Sequence, residues 1–376
     1  MTKPESRKSA VLAICGISGC AEAGCKLSCR VPVKGYFPPE TDLGARGAKQ
    51  AALHERAASA TRSHFGNKVF VRAVVEISNF CRENCHYCGM RRDNQALARF
   101  RARHEQLADL LIHHCPASVT DVNIQAGEDP VAVREIALPL IRTLRGETSL
   151  GISVCLGTLP AQLDDELQSA GAEIFIMKFE CADASQYELL EAPGTLDERV
   201  TRIRLLAEKG WNVSSGFIAG LPGQAARDLA KNFELARSLP LRGCSVSPFI
   251  SGADTPLASR SDANADDTFN CVAALRLMRP DWVIPAVSAF NLAARDGYRR
   301  GLRAGANLVT INLTPDEYRG DYIIYKRDRF IMTEERVLNA IAAEKLAPSE
   351  LSLAAYYRNN EPKGVAVEKH SETVAV

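Results

Sequence analysis

Residues 71–94 read VRAVVEISNFCRENCHYCGMRRDN, and this stretch decides how the rest of the chain is interpreted. Its first part, 71–78, is rich in β-branched and apolar residues, which predicts a buried β-strand. Three closely spaced cysteines follow at once: Cys81, Cys85 and Cys88. In α/β barrels, functional side chains collect just beyond the carboxyl ends of the strands. We therefore expect a strand that places a three-thiol loop at the mouth of such a fold.

Short β-rich runs alternate with helical patterns through most of the remaining sequence. Further strands are predicted at 120–125, 150–155, 173–179, 212–219, 243–249, 282–287 and 306–311. Apolar residues recur at helical spacing within 102–113, 131–146, 161–171, 196–209, 226–238, 264–278 and 292–304. Repeated β-then-α units form parallel strands joined by right-handed crossovers. Eight such units in about 250 residues predict an α/β fold, a (β/α)8 TIM-type barrel.

The 376 residues divide into three parts by composition. Residues 1–45 are irregular and rich in Gly, Pro and Cys, which predicts a Cys-rich N-terminal extension. Residues 46–330 carry the barrel pattern. The remaining segment, 331–376, is predicted to form a C-terminal helix and a polar tail.

Composition and charge narrow the functional classes. Apolar residues make up 46% of the chain and charged residues 24%, which excludes wholesale disorder. The formal net charge of +1 favours neither nucleic-acid binding nor a membrane surface. No apolar run approaches the roughly 20 residues of a membrane span, and the N-terminal apolar stretch 10–14 is shorter than a secretory signal requires. We therefore expect a cytoplasmic protein with no nucleic-acid or membrane partner.

The three-cysteine loop has the composition of a metal-ligand set. Thiolates are soft ligands, and their short spacing lets one loop wrap three corners of a [4Fe–4S] cluster. Three ligands leave one iron open to bind a small molecule. A zinc knuckle and a chance arrangement are the alternatives, but zinc sites usually pair two CxxC units or combine Cys with His. His86 stands between the cysteines, where it cannot easily point the same way.

With Tyr87 before its third cysteine, the CRENCHYC motif resembles that of the radical S-adenosylmethionine (SAM) superfamily. The resemblance implies that the three cysteines are catalytic and that the open iron chelates the amino and carboxylate groups of SAM. It also implies that an electron from the cluster breaks the S–C5′ bond. The resulting 5′-deoxyadenosyl radical then removes hydrogen from a substrate.

The resemblance extends to segments after later strands and implies which residues contact SAM. Glu128 stands in a segment, QAGEDP, that looks like the one holding the SAM amino group. Glu180 corresponds to a carboxylate that holds the ribose, and Arg199 to an arginine that holds the SAM carboxylate, which suits its planar fork. The turn 220–224 matches one near the adenine. Each segment also has an ordinary structural interpretation, as a tight turn or a surface ion pair. The implied cofactor-binding set is Tyr87, Gly127, Glu128, Lys178, Glu180, Arg199 and Leu221.

Within the superfamily, residues 65–330 resemble the biotin synthase-like group, most closely the branch of the [FeFe]-hydrogenase maturase HydE and methylornithine synthase. The most specific stretches are SPFISGADTPLA (247–258) and GANLVTINLTP (305–315). Three positions, interpreted as facing the cavity, depart from that branch. Phe179 replaces a His, Val287-Ser288 replaces a Thr pair, and Cys155-Leu156-Gly157-Thr158 lacks the usual acidic residue.

Because of these departures, the resemblance does not identify the substrate. The substrate candidates are Ser288, Thr310, Asn312, Arg319 and Tyr322. Of these, Arg319 and Tyr322 could anchor an anionic ligand. Cys155 and Cys181 end predicted strands at the mouth, so they could also touch a substrate.

Four more cysteines lie in the N-terminal extension: Cys15, Cys20, Cys25 and Cys29. They could ligate an auxiliary [4Fe–4S] cluster or zinc, or belong to a tail that binds nothing specific. An auxiliary cluster would suit sulfur insertion, because sulfur-inserting relatives sacrifice one as a sulfur source.

We predict a radical SAM enzyme that acts on a small molecule, with HydE-like metallocofactor maturation as the preferred reaction. Sulfur insertion and amino-acid rearrangement are the alternatives within this chemistry, and a non-enzymatic iron–sulfur or zinc carrier is the alternative outside it. The expected protein partner is an electron donor such as flavodoxin or ferredoxin. A basic run would either dock this donor or form a solvated helix face. The run consists of Arg91, Arg92, Arg99, Arg101 and Arg103.

Overall fold

The structure, a computed structural model, describes residues 35–326 and 330–360. Its centre is a curled parallel sheet. The strands are β1 (Lys68–Ser78), β2 (Asp121–Ala126), β3 (Gly151–Cys155), β4 (Ile174–Ile176), β5 (Asn212–Ala219), β6 (Gly243–Pro248), β7 (Leu308–Asn312) and β8 (Ala347–Pro348). Their order is β6-β5-β4-β3-β2-β1-β7, and the short β8 pairs with the start of β1.

The segment between β6 and β7 joins these two outer strands. Val283 forms a parallel bridge to Gly243 at the start of β6, and Pro285 forms one to Leu308 at the start of β7. The strand predicted at 282–287 is therefore reduced to isolated bridges, because Pro285 has no N–H group with which to continue a ladder. The predicted α/β class and barrel-type parallel sheet are confirmed, with seven main strands.

Helices connect the strands. They are α1 (Glu40–Leu43), α2 (Gly47–Phe65), α3 (His104–His113), α4 (Pro130–Ala132), α5 (Leu138–Glu147), α6 (Ala161–Ala170), α7 (Ala184–Leu189), α8 (Leu196–Glu208), α9 (Ala226–Ser238), α10 (Ala265–Met278), α11 (Phe290–Ala293), α12 (Gly297–Arg303), α13 (Asp316–Arg319), α14 (Glu334–Ala343) and α15 (Leu353–Asn359). A π-helical turn, Val133–Ala137, joins α4 to α5. Side-chain hydrogen bonds to the first backbone N–H groups determine where several of these helices begin. At α8, the Thr195 hydroxyl accepts from the Glu198 N–H while the Glu198 carboxylate accepts from the Thr195 N–H, which satisfies two otherwise unpaired donors.

The alternation of side chains along β1 explains why the sheet encloses a polar space. Val71 and Val75 point outward and pack into the main apolar core beneath the helices. Arg72, Val74 and Glu76 occupy the alternate positions and line an internal cavity. Successive strand residues face opposite sides, so this apolar-looking strand carries two ionisable groups into the interior of the sheet.

Helix α15 closes the end of the sheet where the strands begin. Its first N–H, that of Leu353, donates a hydrogen bond of 2.8 Å to Asp121 at the start of β2. Its aromatic residues Tyr356 and Tyr357 share an apolar cluster with Phe70 at the start of β1. The amino-terminal end of the sheet is thus a floor, and the carboxyl-terminal end is the mouth.

The predicted N-terminal extension is described only from residue 35, and it holds α1 with Leu43 in the main core. Cys15, Cys20, Cys25 and Cys29 lie outside the described residues, as does the predicted polar tail from 361 onward. The helices within residues 35–326 and 330–360 include none with both the length and the apolar character of a membrane span.

Candidate active site

A cavity of about 400 Å³ lies inside the curled sheet and opens where the strands end. Its size suits a small-molecule site. Cys81, Cys85 and Cys88 all line it. The other predicted site residues that line it are Tyr87, Gly127, Glu128, Lys178, Glu180, Arg199, Ser288, Thr310, Asn312 and Tyr322. Leu221 and Arg319 are not among its lining residues.

Arg99 holds the cysteine loop in place. Its guanidinium donates hydrogen bonds of 2.6–3.2 Å to the backbone carbonyls of Asn79, Met90, Arg91 and Asn94. All five arginines of the basic run precede α3, which begins at His104, so the interpretation of the run as a helix face is wrong. Charge runs usually indicate solvated surface, and nothing in the local sequence distinguishes Arg99 from its neighbours.

Gly127 lets the loop after β2 approach the cysteine loop closely. A Cβ atom at this position would lie 2.2 Å from the Phe80 carbonyl oxygen and 2.8 Å from the Cβ of Cys81. The next backbone N–H, that of Glu128, donates to the Cys81 sulfur at 3.3 Å. Only glycine permits this approach, so the two loops form one unit around Cys81.

Asp129 ties the same two loops to the end of β1. Its carboxylate accepts 2.7 and 3.0 Å bonds from Arg101 and a 2.7 Å bond from the Ser78 hydroxyl. Burial raises the pKa of Asp129, but the bonds from Arg101 and Ser78 outweigh this effect and lower it. No local pattern indicated this pair, because Arg101 stands 28 residues away in the chain.

The Glu128 carboxylate is the centre of a polar group beside Cys81. Its Oε1 accepts a 2.8 Å bond from the Thr158 N–H and lies 3.5 Å from Arg199 Nη2, while Arg82 Nε lies 3.3 Å from Oε2. Gly157, at φ +74°, makes room for it, since a Cβ there would lie 2.0 Å from Glu128 Cγ. These contacts hold one orientation of the carboxylate before any ligand binds.

Lys178 and Glu180 form an ion pair after β4, with 2.9 Å between Nζ and Oε2. Burial lowers the pKa of Lys178, but the Glu180 carboxylate more than offsets this and raises it. Glu180 has a left-handed backbone, φ 60°, which is rare for a residue with a long side chain. Its N–H donates to Gly216 and its carbonyl accepts from Ile218, so β5 enforces this conformation. Such strain is concentrated at functional sites.

The interpretation of Phe179 as a cavity-facing departure is wrong. Phe179 is fully buried in the main core and stacks on Phe217 with ring centroids 5.8 Å apart. Its neighbours Lys178 and Glu180 face the cavity, so the residue between them points the other way. Val287, Ser288 and Cys155 do line the cavity.

Arg199 of α8 is buried beside Glu128. Its Nε donates to the Tyr187 hydroxyl at 3.4 Å, and that hydroxyl donates to the Pro193 carbonyl at 2.8 Å. Burial lowers the pKa of Arg199, but Tyr187 and Glu128 raise it by more, so the guanidinium stays charged.

Leu221 lies behind Tyr87 in an apolar cluster that also contains Cys181. Cys181 is not among the residues that line the cavity, and its thiol lies 3.2 Å from the Gln186 side-chain oxygen.

The three thiols suit an iron–sulfur cluster better than a single zinc ion. Burial raises the pKa of each, that of Cys88 to about 12, and neighbouring thiols add to the shift for Cys85 and Cys88. Within the described part of the chain, no three His, Cys, Asp or Glu side chains converge on a single metal ion. A tetrahedral zinc needs such convergence, whereas the thiolates of a [4Fe–4S] cluster bind irons at separate corners. Three thiols on one cavity therefore fit the cluster.

The predicted substrate residues are spread over the cavity. Ser288 is exposed, Tyr322 is buried against Met90 of the cysteine loop, and Asn312 donates to Glu76 at 3.2 Å. Thr310 accepts a long 3.5 Å bond from Arg72. Arg319 does not line the cavity with the other four residues. Its guanidinium donates to the Thr314 carbonyl at 2.6 and 2.9 Å and pairs with Asp316.

The sequence analysis did not identify several residues that line the cavity: Arg72, Glu76, Glu83, Tyr325 and Tyr357. The signal for Arg72 and Glu76 was available, because polar residues four apart in an apolar strand share one face. For Tyr357 there was none, since nothing local shows where α15 packs.

Comparison with known proteins identifies the family. Residues 75–236 match the radical SAM superfamily. The chain is 30% identical over 283 residues to the [FeFe] hydrogenase maturase subunit HydE of Thermotoga maritima, covering 75% of this chain and 81% of that protein. It is 28% identical over 311 residues to the 3-methylornithine synthase of Methanosarcina barkeri, covering 79% of this chain and 85% of that one.

Solved structures show the same fold. Methylornithine synthase (PylB) matches with a TM-score of 0.76 at 22% identity, over 86% of this chain and 97% of that one. The FeFe-hydrogenase maturase HydG from Carboxydothermus hydrogenoformans matches with a TM-score of 0.72 at 19% identity, over 85% and 76%. The predicted superfamily, its enzymatic nature and its cofactors are confirmed, which sets aside the non-enzymatic carrier. The chain belongs to the radical SAM superfamily, whose enzymes use a [4Fe–4S] cluster and SAM.

Proposed function

We propose that this radical SAM enzyme holds its [4Fe–4S] cluster with Cys81, Cys85 and Cys88 and acts on a small molecule in a HydE-like role, the maturation of a metallocofactor. The observation that carries the proposal is that all three thiols line one cavity inside the curled sheet. The identity of 30% across 81% of HydE supports the HydE-like role.

The cluster, when bound, supplies the electron for reductive cleavage of SAM. The residues around the thiols would hold SAM in one orientation. Arg199 is a buried cation whose planar fork can bind a carboxylate. The Glu180 carboxylate, already fixed by its strained backbone, can accept hydrogen bonds from ribose hydroxyls. Gly127 and Glu128 bring backbone groups to the side of Cys81, where the SAM amino group would lie.

Amino-acid rearrangement is the second candidate. It is favoured by the 28% identity to 3-methylornithine synthase over 85% of that enzyme. Sulfur insertion depends on an auxiliary cluster at Cys15, Cys20, Cys25 and Cys29, which lie outside the described residues.

We propose a small electron-transfer protein, such as flavodoxin or ferredoxin, as the reductant. Arg82 and Arg92 are exposed on the cysteine loop and could face such a partner. Arg99 is bonded to carbonyls of the cysteine loop, and Arg101 to Asp129.

The first experiment measures 5′-deoxyadenosine from anaerobically reconstituted enzyme with dithionite and SAM. Alanine at Cys81, Cys85 or Cys88 should lower its formation by at least about 10³-fold, because each removes a cluster ligand. The matched control is Cys115→Ala, a partly buried cysteine outside the cavity, which should leave it unchanged. Normal product from all three alanine variants would refute the assignment.

A second experiment separates the two reactions. In a cell-free [FeFe]-hydrogenase maturation mixture that lacks HydE, the enzyme should restore hydrogenase activity. Failure there, together with 3-methylornithine formed from a mixture of amino acids, would favour the rearrangement.

An iron count tests the N-terminal cysteines. If they hold a second cluster, wild type contains about eight irons per chain, and alanine at Cys15, Cys20, Cys25 and Cys29 lowers this to about four. About four irons in both proteins would remove the sulfur-donor alternative.

A further inference from the structure

A fourth cysteine, Cys155, lines the cavity together with the three of the cysteine loop. It is the last residue of β3, and its neighbour Val154 packs into the main core. Successive strand residues face opposite sides, so the Cys155 side chain is directed inward. Within residues 35–326 and 330–360, its sulfur forms neither a disulfide nor a hydrogen bond. The hydrogen of this thiol is therefore not committed to the protein.

The remaining cysteines of the barrel are placed differently. Cys244 and Cys271 are fully buried in the main core, and the Cys244 thiol donates to the Ser245 carbonyl at 3.9 Å. Cys115 does not line the cavity. In the part of the chain that the structure describes, Cys155 is thus the one cavity-lining cysteine outside the cysteine loop.

Cys155 lies between the mouth and the floor of the cavity. The register across β2 places it level with Glu76 of β1. Gly157, two residues later, packs against Glu128 at the mouth. Arg72 precedes Glu76 by four residues, so its Cα lies about 13 Å nearer the floor. The buried Nε of Arg72 has no partner among the described residues, which indicates that a ligand reaches this depth and passes the Cys155 thiol.

The surroundings of Cys155 keep its thiol protonated. Burial raises its pKa, and Glu180 adds to this effect. Lys178 and Arg72 act in the opposite direction but do not outweigh the burial. A protonated thiol is a poor nucleophile and a poor metal ligand. It retains an S–H bond, however, and that bond is weaker than the C–H bonds of most alkyl groups. Transfer of its hydrogen atom to an alkyl radical is therefore favourable.

We propose that Cys155 is a hydrogen-atom donor to carbon radicals formed in the cavity. In the transfer the S–H bond breaks and a C–H bond forms, which leaves a sulfur-centred radical on Cys155. One electron from the protein that reduces the enzyme, and one proton from water, restore the thiol. The donor role rests on the proposed function, which supplies the radical. It also deepens that function: 5′-deoxyadenosine need not return its hydrogen, so SAM is consumed in each turnover.

Heavy water reveals the transfer without a known substrate. The reconstituted holoenzyme is equilibrated in D₂O, which reaches the thiol through the cavity mouth. Dithionite and SAM are then added in a buffer free of small thiols. With no substrate present, the 5′-deoxyadenosyl radical itself takes the hydrogen atom of Cys155. Mass spectrometry should find one deuterium in most of the 5′-deoxyadenosine formed. Product without deuterium would overturn the proposal.

Two substitutions identify the donor. Cys155→Ala and Cys155→Ser should both lose the deuterium from the product. Serine keeps an exchangeable hydrogen at this position, but its O–H bond is too strong to yield a hydrogen atom to an alkyl radical. The matched control, Cys115→Ser, lies outside the cavity and should keep the deuterium. Deuterium retained in either Cys155 variant would assign the hydrogen to another exchangeable group, such as a tyrosine hydroxyl, and overturn the proposal.

A second measurement does not depend on turnover. The holoenzyme is treated with iodoacetamide, a small neutral reagent, and its peptides are analysed by mass spectrometry. Cys155 should be alkylated, and saturating SAM should slow the reaction, because the thiol faces the space that the ligand fills. Cys244, in the core, should stay unmodified. A Cys155 that does not react in the absence of SAM does not face the open cavity, and the donor role would then be wrong.

The outcomes separate the donor role from the proposed function. If 5′-deoxyadenosine forms without deuterium, the donor role is wrong and the radical chemistry stands. If Cys155 is alkylated but no 5′-deoxyadenosine forms, the proposed function is wrong, and the donor role is refuted with it.

Discussion

The two ends of the cavity are built in opposite ways. At the mouth, side chains are already bonded to the protein: Arg99 to four carbonyls, and Glu128 to the Thr158 N–H. At the floor, Arg72 lines the cavity, and its Nε has no hydrogen-bond partner among the described residues. The mouth is therefore fixed before a ligand arrives, whereas the floor keeps a donor for one.

This difference matches two separate requirements. A reaction that generates a radical needs its reacting groups held to within a fraction of an ångström, which a preorganised hydrogen-bond network provides. Selection of a substrate needs only a few polar groups that remain unsatisfied until the correct molecule binds. Changes at the mouth should therefore affect cluster and SAM together, and changes at the floor should affect neither.

Among changes that leave the three cysteines in place, Gly127→Ala should have the largest effect. The new Cβ would lie 2.2 Å from the Phe80 carbonyl oxygen, so the cysteine loop must move. We expect 5′-deoxyadenosine formation to fall by about 100-fold and iron content to fall with it. The matched control is Gly146→Ala in α5, where a Cβ meets nothing within 4 Å. Wild-type iron and activity in Gly127→Ala would show that the mouth is not rigid.

Arg99→Ala should have the next largest effect, because four carbonyls of the cysteine loop lose one common donor. The expected loss in free energy of unfolding is about 2 kcal/mol, measured in urea under anaerobic conditions, with a roughly tenfold drop in SAM cleavage. Arg103→Ala, an exposed arginine four residues later, should change neither quantity. Equal behaviour of the two variants would contradict the role assigned to Arg99.

The strain at Glu180 can be measured by comparing two substitutions. Both Glu180→Ala and Glu180→Gly remove the ion pair with Lys178, so both should raise the KM for SAM by about tenfold or more. Only glycine relieves the left-handed backbone at φ 60°, so Glu180→Gly should be about 1 kcal/mol more stable than Glu180→Ala. Lys345, exposed at φ 57°, is the control: its Gly and Ala variants should show the same stability difference with normal activity. Equal stability of the two Glu180 variants would show that no strain is stored there.

The sequence predicted the mouth better than the floor, and the reason is physical. The cysteine loop, Gly127 and Glu128 lie in short segments directly after strands, where sequence neighbours are also spatial neighbours. Arg72 contributes through a strand that otherwise appears wholly apolar, and Tyr357 through a helix 285 residues further along the chain, which packs beneath the sheet. Contacts of that range leave no local pattern. The strand predicted at 282–287 differs for a local reason: its apolar run was evident, but Pro285 has no N–H group, and only isolated bridges form there.

The smallest effects should come from removing single hydroxyl groups, and they compare the two ends most directly. Tyr187→Phe at the mouth deletes a hydroxyl that donates to the Pro193 carbonyl and accepts from Arg199. The free energy of unfolding should therefore fall by about 1 kcal/mol, and the KM for SAM should rise several-fold. Tyr357→Phe at the floor deletes a hydroxyl that bonds to nothing in the described residues, so stability should stay within about 0.5 kcal/mol and SAM cleavage without substrate should be unchanged. Both tyrosines are almost fully buried, so differing exposure cannot produce the contrast. If the two substitutions lower the free energy of unfolding equally, the floor is as tightly bonded as the mouth, and its polar groups are not reserved for a ligand.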